Sequence, residues 1–157
     1  MFNTKQFTDL IEDTLTRMGL LTSPAVTDLL LGTAAQESGF GTYLRQMGGP
    51  ALGVFQMEPA TEKDIWINYL RHREDLCSKI IVTTGVASPD EMQLAGNLLY
   101  QIAMCRIHYR RVREPLPEAG DIPGLARYWK QHYNTPTGRG TEAEFIANYR
   151  RYVSRRH

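Results

Sequence analysis

The sequence predicts a single all-α domain, α+β at most. Apolar residues recur at helical spacing along most of the chain, and most of these runs have recognisable start and stop signals. No repeat, low-complexity tract or linker divides the 157 residues. That length is one domain's worth and enough to bury a core. Apolar residues make up 42% and charged residues 22%, the balance of a folded chain and not of a disordered one.

The first helix is expected over Thr4–Met18. Phe7, Leu10, Ile11, Leu15 and Met18 share one face, Asn3 with Gln6 resembles a capping box, and Gly19 is a stop. The second starts at Ser23 as N-cap with Pro24 in the first turn, carries Val26, Leu29, Leu30 and Ala34 inward, and stops at Gly39. Residues 39–57 hold five glycines and one proline, which predicts a loop or a small irregular β region. A helix over Pro59–Leu70 follows, with a short one around Asp75–Ile81 and a break at Thr83-Thr84-Gly85. Ser88-Pro89-Asp90-Glu91 reads as cap, N1 proline and first-turn acids, opening one long helix to about Val112. Pro115 and Pro117 close it. A helix over Ile122–His132 and a loop from Asn134 to Gly140 come next. Thr141 with Glu144 is a second capping box, and opens a last helix with Phe145, Ile146, Tyr149 and Val153 inside.

Net charge is +1, against a strongly basic nucleic-acid binder, and no nucleic-acid reader motif is present. The charge is uneven. Residues 1–105 carry 7 Lys/Arg against 12 Asp/Glu, and residues 106–157 carry 11 against 5. Arg106, Arg110, Arg111 and Arg113 form one basic cluster, and Arg150, Arg151, Arg155 and Arg156 another. Each reads as a solvated helical face or as an attractor for an anionic surface. Cys77 and Cys105 give neither a disulfide framework nor a metal spacing, although one bridge between them stays open. His72, His108, His132 and His157 share no metal-ligand spacing, so no metal and no cofactor are expected. No apolar run is long enough to span a membrane. The N-terminus lacks the apolar core and cleavage site of a secretory signal.

The informative place is Ala34-Ala35-Gln36-Glu37-Ser38-Gly39-Phe40, at the end of the second helix. Three and seven residues before Glu37 stand Ala34 and Leu30, so the helical period aims this carboxylate at the core face. Burial disfavours its ionised form, and the helix C-terminus pushes the same way. A carboxyl raised from ~4.3 by one to two units stays partly protonated near neutrality, as a general acid for glycosidic cleavage must. The competing reading is a helix-end Glu that reaches water or pairs with an Arg such as Arg45.

Glu37-Ser38 is followed by Leu52-Gly53-Val54-Phe55-Gln56-Met57-Glu58-Pro59-Ala60-Thr61 and later by Tyr133-Asn134. This set resembles the lytic transglycosylases of the lysozyme-like superfamily, over about residues 25–150. Residues 1–22 would form an N-terminal helix packed on a single lysozyme-like domain spanning 1–157. That family has Glu-Ser at a helix end, a Gly-Leu-Met-Gln-type segment running into Pro-Ala-Thr, and a late Tyr-Asn pair. Here the second motif reads Gly-Val-Phe-Gln, and Tyr133-Asn134 is followed by Thr135-Pro136 in place of the usual Ala-Gly.

The resemblance implies that Glu37 is the single catalytic acid/base and that Ser38 orients it or the substrate. Gln56 would hydrogen-bond the sugar in the cleft. Tyr133 would bond the catalytic carboxylate or line its pocket, and Asn134 would contact substrate or shape its loop. The implied activity is cleavage of the β-1,4 bond between N-acetylmuramic acid and N-acetylglucosamine in peptidoglycan, leaving a 1,6-anhydro end. A hydrolytic lysozyme would need a second carboxylate, for which Glu58, Glu62 and Asp64 are candidates; Glu58 also suits a helix start. Tyr43, Trp66, Tyr69 and Trp129 could stack on sugars or fill the core, and Tyr43 is the best placed because it follows Glu37 in the loop. The expected partners are peptidoglycan glycan strands and, for a virion-borne protein, other phage virion proteins. With no leader, a bacteriophage protein fits best, made in the host cytoplasm and carried in the virion or released through a holin to the wall. A reading of another class is a non-catalytic part of a phage particle or secretion machine.

Overall fold

The structure is a computed structural model that describes residues 1–135 and 137–154. Pro136, Arg155, Arg156 and His157 lie outside the described residues, so the second arginine cluster is seen only at Arg150 and Arg151. The described residues form eight α-helices and no strand. They are α1 (Thr4–Arg17), α2 (Pro24–Ser38), α3 (Pro59–Asn68), α4 (Glu74–Thr84), α5 (Glu91–Gly96), α6 (Leu98–Arg110), α7 (Ile122–Trp129) and α8 (Glu142–Tyr152). A 3₁₀ turn, Leu70–His72, follows α3, and one π-type turn, Lys130–Asn134, extends α7.

Helix ends obey their caps. Asn3 Oδ1 accepts from the Gln6 amide at 3.0 Å and opens α1. Thr141 and Glu144 exchange both bonds of a capping box at α8. Gly39 closes α2 with φ 57°, a left-handed conformation that glycine adopts without a steric penalty. Ser23 does stand at the N-cap of α2, but its hydroxyl caps no amide.

Two expectations about the middle of the chain fail for identifiable reasons. The helix begins at Asp90 and not at Ser88, because the Asp90 carboxylate accepts from the Met92 and Gln93 amides. The Asp90 N–H is itself taken by Glu62 Oε2 at 3.0 Å. Nor is there one helix to Val112. It breaks at Asn97, whose Oδ1 caps α6 through the Tyr100 amide while its Nδ2 donates to Thr84 O at the end of α4. Asn97 therefore stops α5, starts α6 and ties both to α4. Similarly, the helix expected over Ile122–His132 is α-helical only to Trp129.

α2 is the buried axis. Apolar side chains surround it, and it packs chiefly on α8, with α7, α6 and α1 against its other sides. Its closest approach is at Gly32, where a methyl group would overlap the Phe145 ring of α8. Gly32→Ala is expected to destabilise by about 1–3 kcal/mol in urea unfolding, despite the better helix propensity of alanine, because overpacking outweighs it.

The 39–57 segment is irregular, as expected, with two isolated bridges that pair Leu52 with Arg45 and with Met57. Phe40, left-handed at φ 57°, is wholly buried among the rings of Phe2, Phe7 and Tyr152. That burial offsets the ~1–2 kcal/mol such a backbone costs a non-glycine residue. The Gly53–Gln56 turn is pinned to α6, where Gln101 Oε1 accepts from the Val54 amide at 2.7 Å. A side chain at Gly53 would strike Gln101 and the Leu94 carbonyl, so glycine is required there on two grounds, its φ being 80°. Cys77 and Cys105 are free thiols, and no bridge joins them. No helix among the described residues is long and apolar enough to cross a membrane.

Candidate active site

Glu37 lies in the last turn of α2, half-buried. Its Oε1 accepts from the Trp129 indole N–H at 3.0 Å. Trp129 is fully buried on α7, which crosses against α2, so helix packing and not a surface contact fixes the carboxyl. Among the described residues Glu37 forms no ion pair, with Arg45 or any other cation. Burial without a counter-charge raises its pKa from 4.5 to about 7, and the Trp129 hydrogen bond pulls back only part of the way.

The carboxyl opens into a cleft of about 410 Å³. Gln56, Tyr133 and Asn134 line the same cleft, so four of the six residues singled out in the sequence come together in space. Gln56 sits at φ 49°, held by its own amide side chain donating to Gly53 O at 2.8 Å. Tyr133 does not bond Glu37. Its hydroxyl donates to the Phe55 carbonyl at 2.6 Å, and its ring stacks on Tyr109 with centroids 5.2 Å apart. It thus lines the pocket and clamps the residue preceding Gln56. Tyr133→Phe should cost about 1–2 kcal/mol in urea unfolding, because the Phe55 carbonyl loses its donor. Asn134 Oδ1 accepts from Lys130 Nζ at 2.7 Å, which shapes the loop.

The other two lie elsewhere. Ser38 is fully buried and outside the cleft; its hydroxyl donates to Ala34 O and accepts from the Gly41 amide, securing the turn after α2. Tyr43 is 55% exposed and does not line the cleft. Of the remaining aromatics, Trp66 is core and donates to the Tyr100 hydroxyl, and Tyr69 lies under the Arg73 guanidinium.

The three further carboxylates separate. Glu58 is exposed and lines the cleft. Glu62 is buried away from it, accepting from the Tyr100 hydroxyl and the Asp90 amide. Asp64 pairs with Arg111 at 2.6 Å, and that guanidinium with its hydrogen bond holds Asp64 below the ordinary carboxylate range.

Sequence reading missed three residues of the site. Trp129, expected in the core or as a sugar platform, is the hydrogen-bond partner of Glu37. The signal was available, since Trp129 and Tyr133 are four apart and share a helical face. His132 lines the cleft beside Tyr133, with Nε2 3.1 Å from Glu114 Oε2. His108 lines it from α6, its Nδ1 accepting from Arg111 at 2.9 Å. Burial and the Arg111 charge lower the His108 pKa to about 4, so it is neutral at pH 7. Among the described residues no group of His, Cys, Asp or Glu is placed to hold a metal ion.

The cleft therefore offers one carboxyl that can give and take a proton near neutrality, ringed by amide and hydroxyl groups, two histidines and one exposed acid. That set suits a neutral polyhydroxylated chain with an oxygen leaving group. Compared with protein-family models, with curated proteins and with solved structures, the chain matches none.

Proposed function

We propose that this protein is a lysozyme-like lytic transglycosylase that cleaves the glycan strands of bacterial peptidoglycan. The observation that carries the reading is Glu37, half-buried at a helix end, free of any paired cation among the described residues, with a pKa near 7 in a cleft shared with Gln56 and Tyr133. Protonated Glu37 gives its proton to the glycosidic oxygen as the bond from that oxygen to C1 of N-acetylmuramic acid breaks. The acetamido group of the substrate stabilises the cationic C1. The ionised Glu37 then takes the proton of the muramyl O6 hydroxyl, and O6 bonds to C1. The proton returns to Glu37, no water is consumed, and the new end is a 1,6-anhydro ring. The Trp129 hydrogen bond holds the carboxyl for both steps.

Hydrolysis is the second reading, favoured by one observation. Glu58 stands in the same cleft and could activate a water. Delivery by a phage particle or through a holin belongs to the same proposal.

The test is product mass. Peptidoglycan digested with the purified protein should release muropeptides ending in anhydromuramic acid, lighter by one water than reducing ends. Reducing ends would assign the chemistry to hydrolysis, and intact glycan strands would refute both readings.

A further inference from the structure

The cluster of arginines on α6 is not a uniform solvated face. Arg106 is 6% exposed and has no carboxylate partner among the described residues. Its Nε donates to Leu20 O at 2.9 Å and one terminal nitrogen to Thr22 Oγ1 at 3.4 Å, so neutral oxygens alone receive a buried charge. Burying an unpaired guanidinium is costly, and the cost falls when an anion is supplied. Arg106 lines a depression of about 380 Å³ with Thr22, Ser23, Arg110 and Tyr128. Arg110 makes no ion pair among the described residues. Its charge works with burial to hold the Arg106 pKa down, so two like charges face the same space. Ser23 adds a hydroxyl that caps no amide, at the N-terminus of a 15-residue helix whose dipole favours negative charge. The acid on the rim, Glu114, is engaged with His132.

From this we infer an oxyanion-binding site between Arg106, Arg110 and Ser23, built for a phosphate group and separate from the Glu37 cleft. The two cavities share no lining residue. Two guanidiniums and a hydroxyl match the several acceptor oxygens of a phosphate better than a single carboxylate. The site continues past Arg110 into an open depression of about 710 Å³ where Arg71, Arg73 and Lys79 outnumber Glu74 and Asp75, room enough for a further phosphodiester unit. The source is thus either free phosphate or a phosphodiester polymer such as poly(glycerol phosphate).

Calorimetric titration at constant ionic strength tests this with three probes: inorganic phosphate, poly(glycerol phosphate) and acetate. Saturable phosphate binding is expected, with acetate weaker. Arg110→Ala, exposed and outside the fold core, should weaken phosphate binding about tenfold or more. Ser23→Ala should weaken it less. Tighter binding of the polymer than of phosphate would identify a chain as the source, and equal binding per phosphate would identify the free ion. The absence of saturable binding by either phosphate probe, or affinity unchanged in Arg110→Ala, would overturn the site. Arg106→Gln serves as a second variant, read only where circular dichroism matches the parent. Binding is measured without cleavage, so its outcome is independent of what the Glu37 cleft does.

Discussion

Glu37→Gln should abolish release of muropeptides while leaving the helical fold in place. A positioned general acid–base contributes roughly 10²–10⁴ in rate, and in the proposed mechanism one group serves as both acid and base, so the loss belongs at the upper end. The amide is nearly isosteric and its oxygen can still accept from Trp129, so circular dichroism and chromatographic behaviour should not change. The wild-type rate should also fall as pH rises above about 7, when Glu37 loses its proton. Magnitude decides why this environment matters. At pH 7 a carboxyl titrating near 7 is half protonated, whereas one left at 4.5 is protonated in only about 0.3% of molecules. Full activity in Glu37→Gln, measured on purified peptidoglycan, would remove Glu37 from the chemistry.

The same substitution should raise stability at alkaline pH. The pKa of Glu37 is higher folded than unfolded, so the native state binds the proton more tightly. Its favourable contribution is complete below pH 4.5 and is lost as pH climbs through about 7. At ~1.4 kcal/mol per unit, the gap between 4.5 and about 7 is worth at most roughly 3.5 kcal/mol. Glutamine carries no charge at any pH. Its stability relative to wild type should therefore increase between pH 4.5 and 9 by up to that amount. Urea unfolding of both proteins across that range measures it, and the difference between them cancels every other titrating group. An ion-paired Glu37 would give the opposite sign, with the variant weaker at pH 8.

The site was legible in part, and the reasons differ residue by residue. Glu37 could be found because helical period and helix end are local properties, and both pointed its carboxyl inward. Gln56 was found through its motif, but its left-handed backbone was not, since φ 49° depends on the Gly53 turn being pinned at Val54 by Gln101, 47 positions further on. Ser38 was misplaced because the residue after an inward-facing one turns about 100° around the helix, here into the core and the following turn. The long helix expected after Ser88 failed at Asn97. Continued periodicity hid a residue that caps one helix and, through Thr84, fastens another.

From the amino-acid order alone came what neighbours along the chain decide: an all-helical domain, most helix ends, the irregular 39–57 stretch, and a carboxyl facing the core. Only packing decided what that carboxyl meets. Trp129 reaches it from 92 residues away, and no cation among the described residues does. Periodicity fixes the direction in which a side chain leaves its helix. The dielectric it enters, the donor it finds and the charge it lacks are set by the helices laid against it, and these raise Glu37 to about 7.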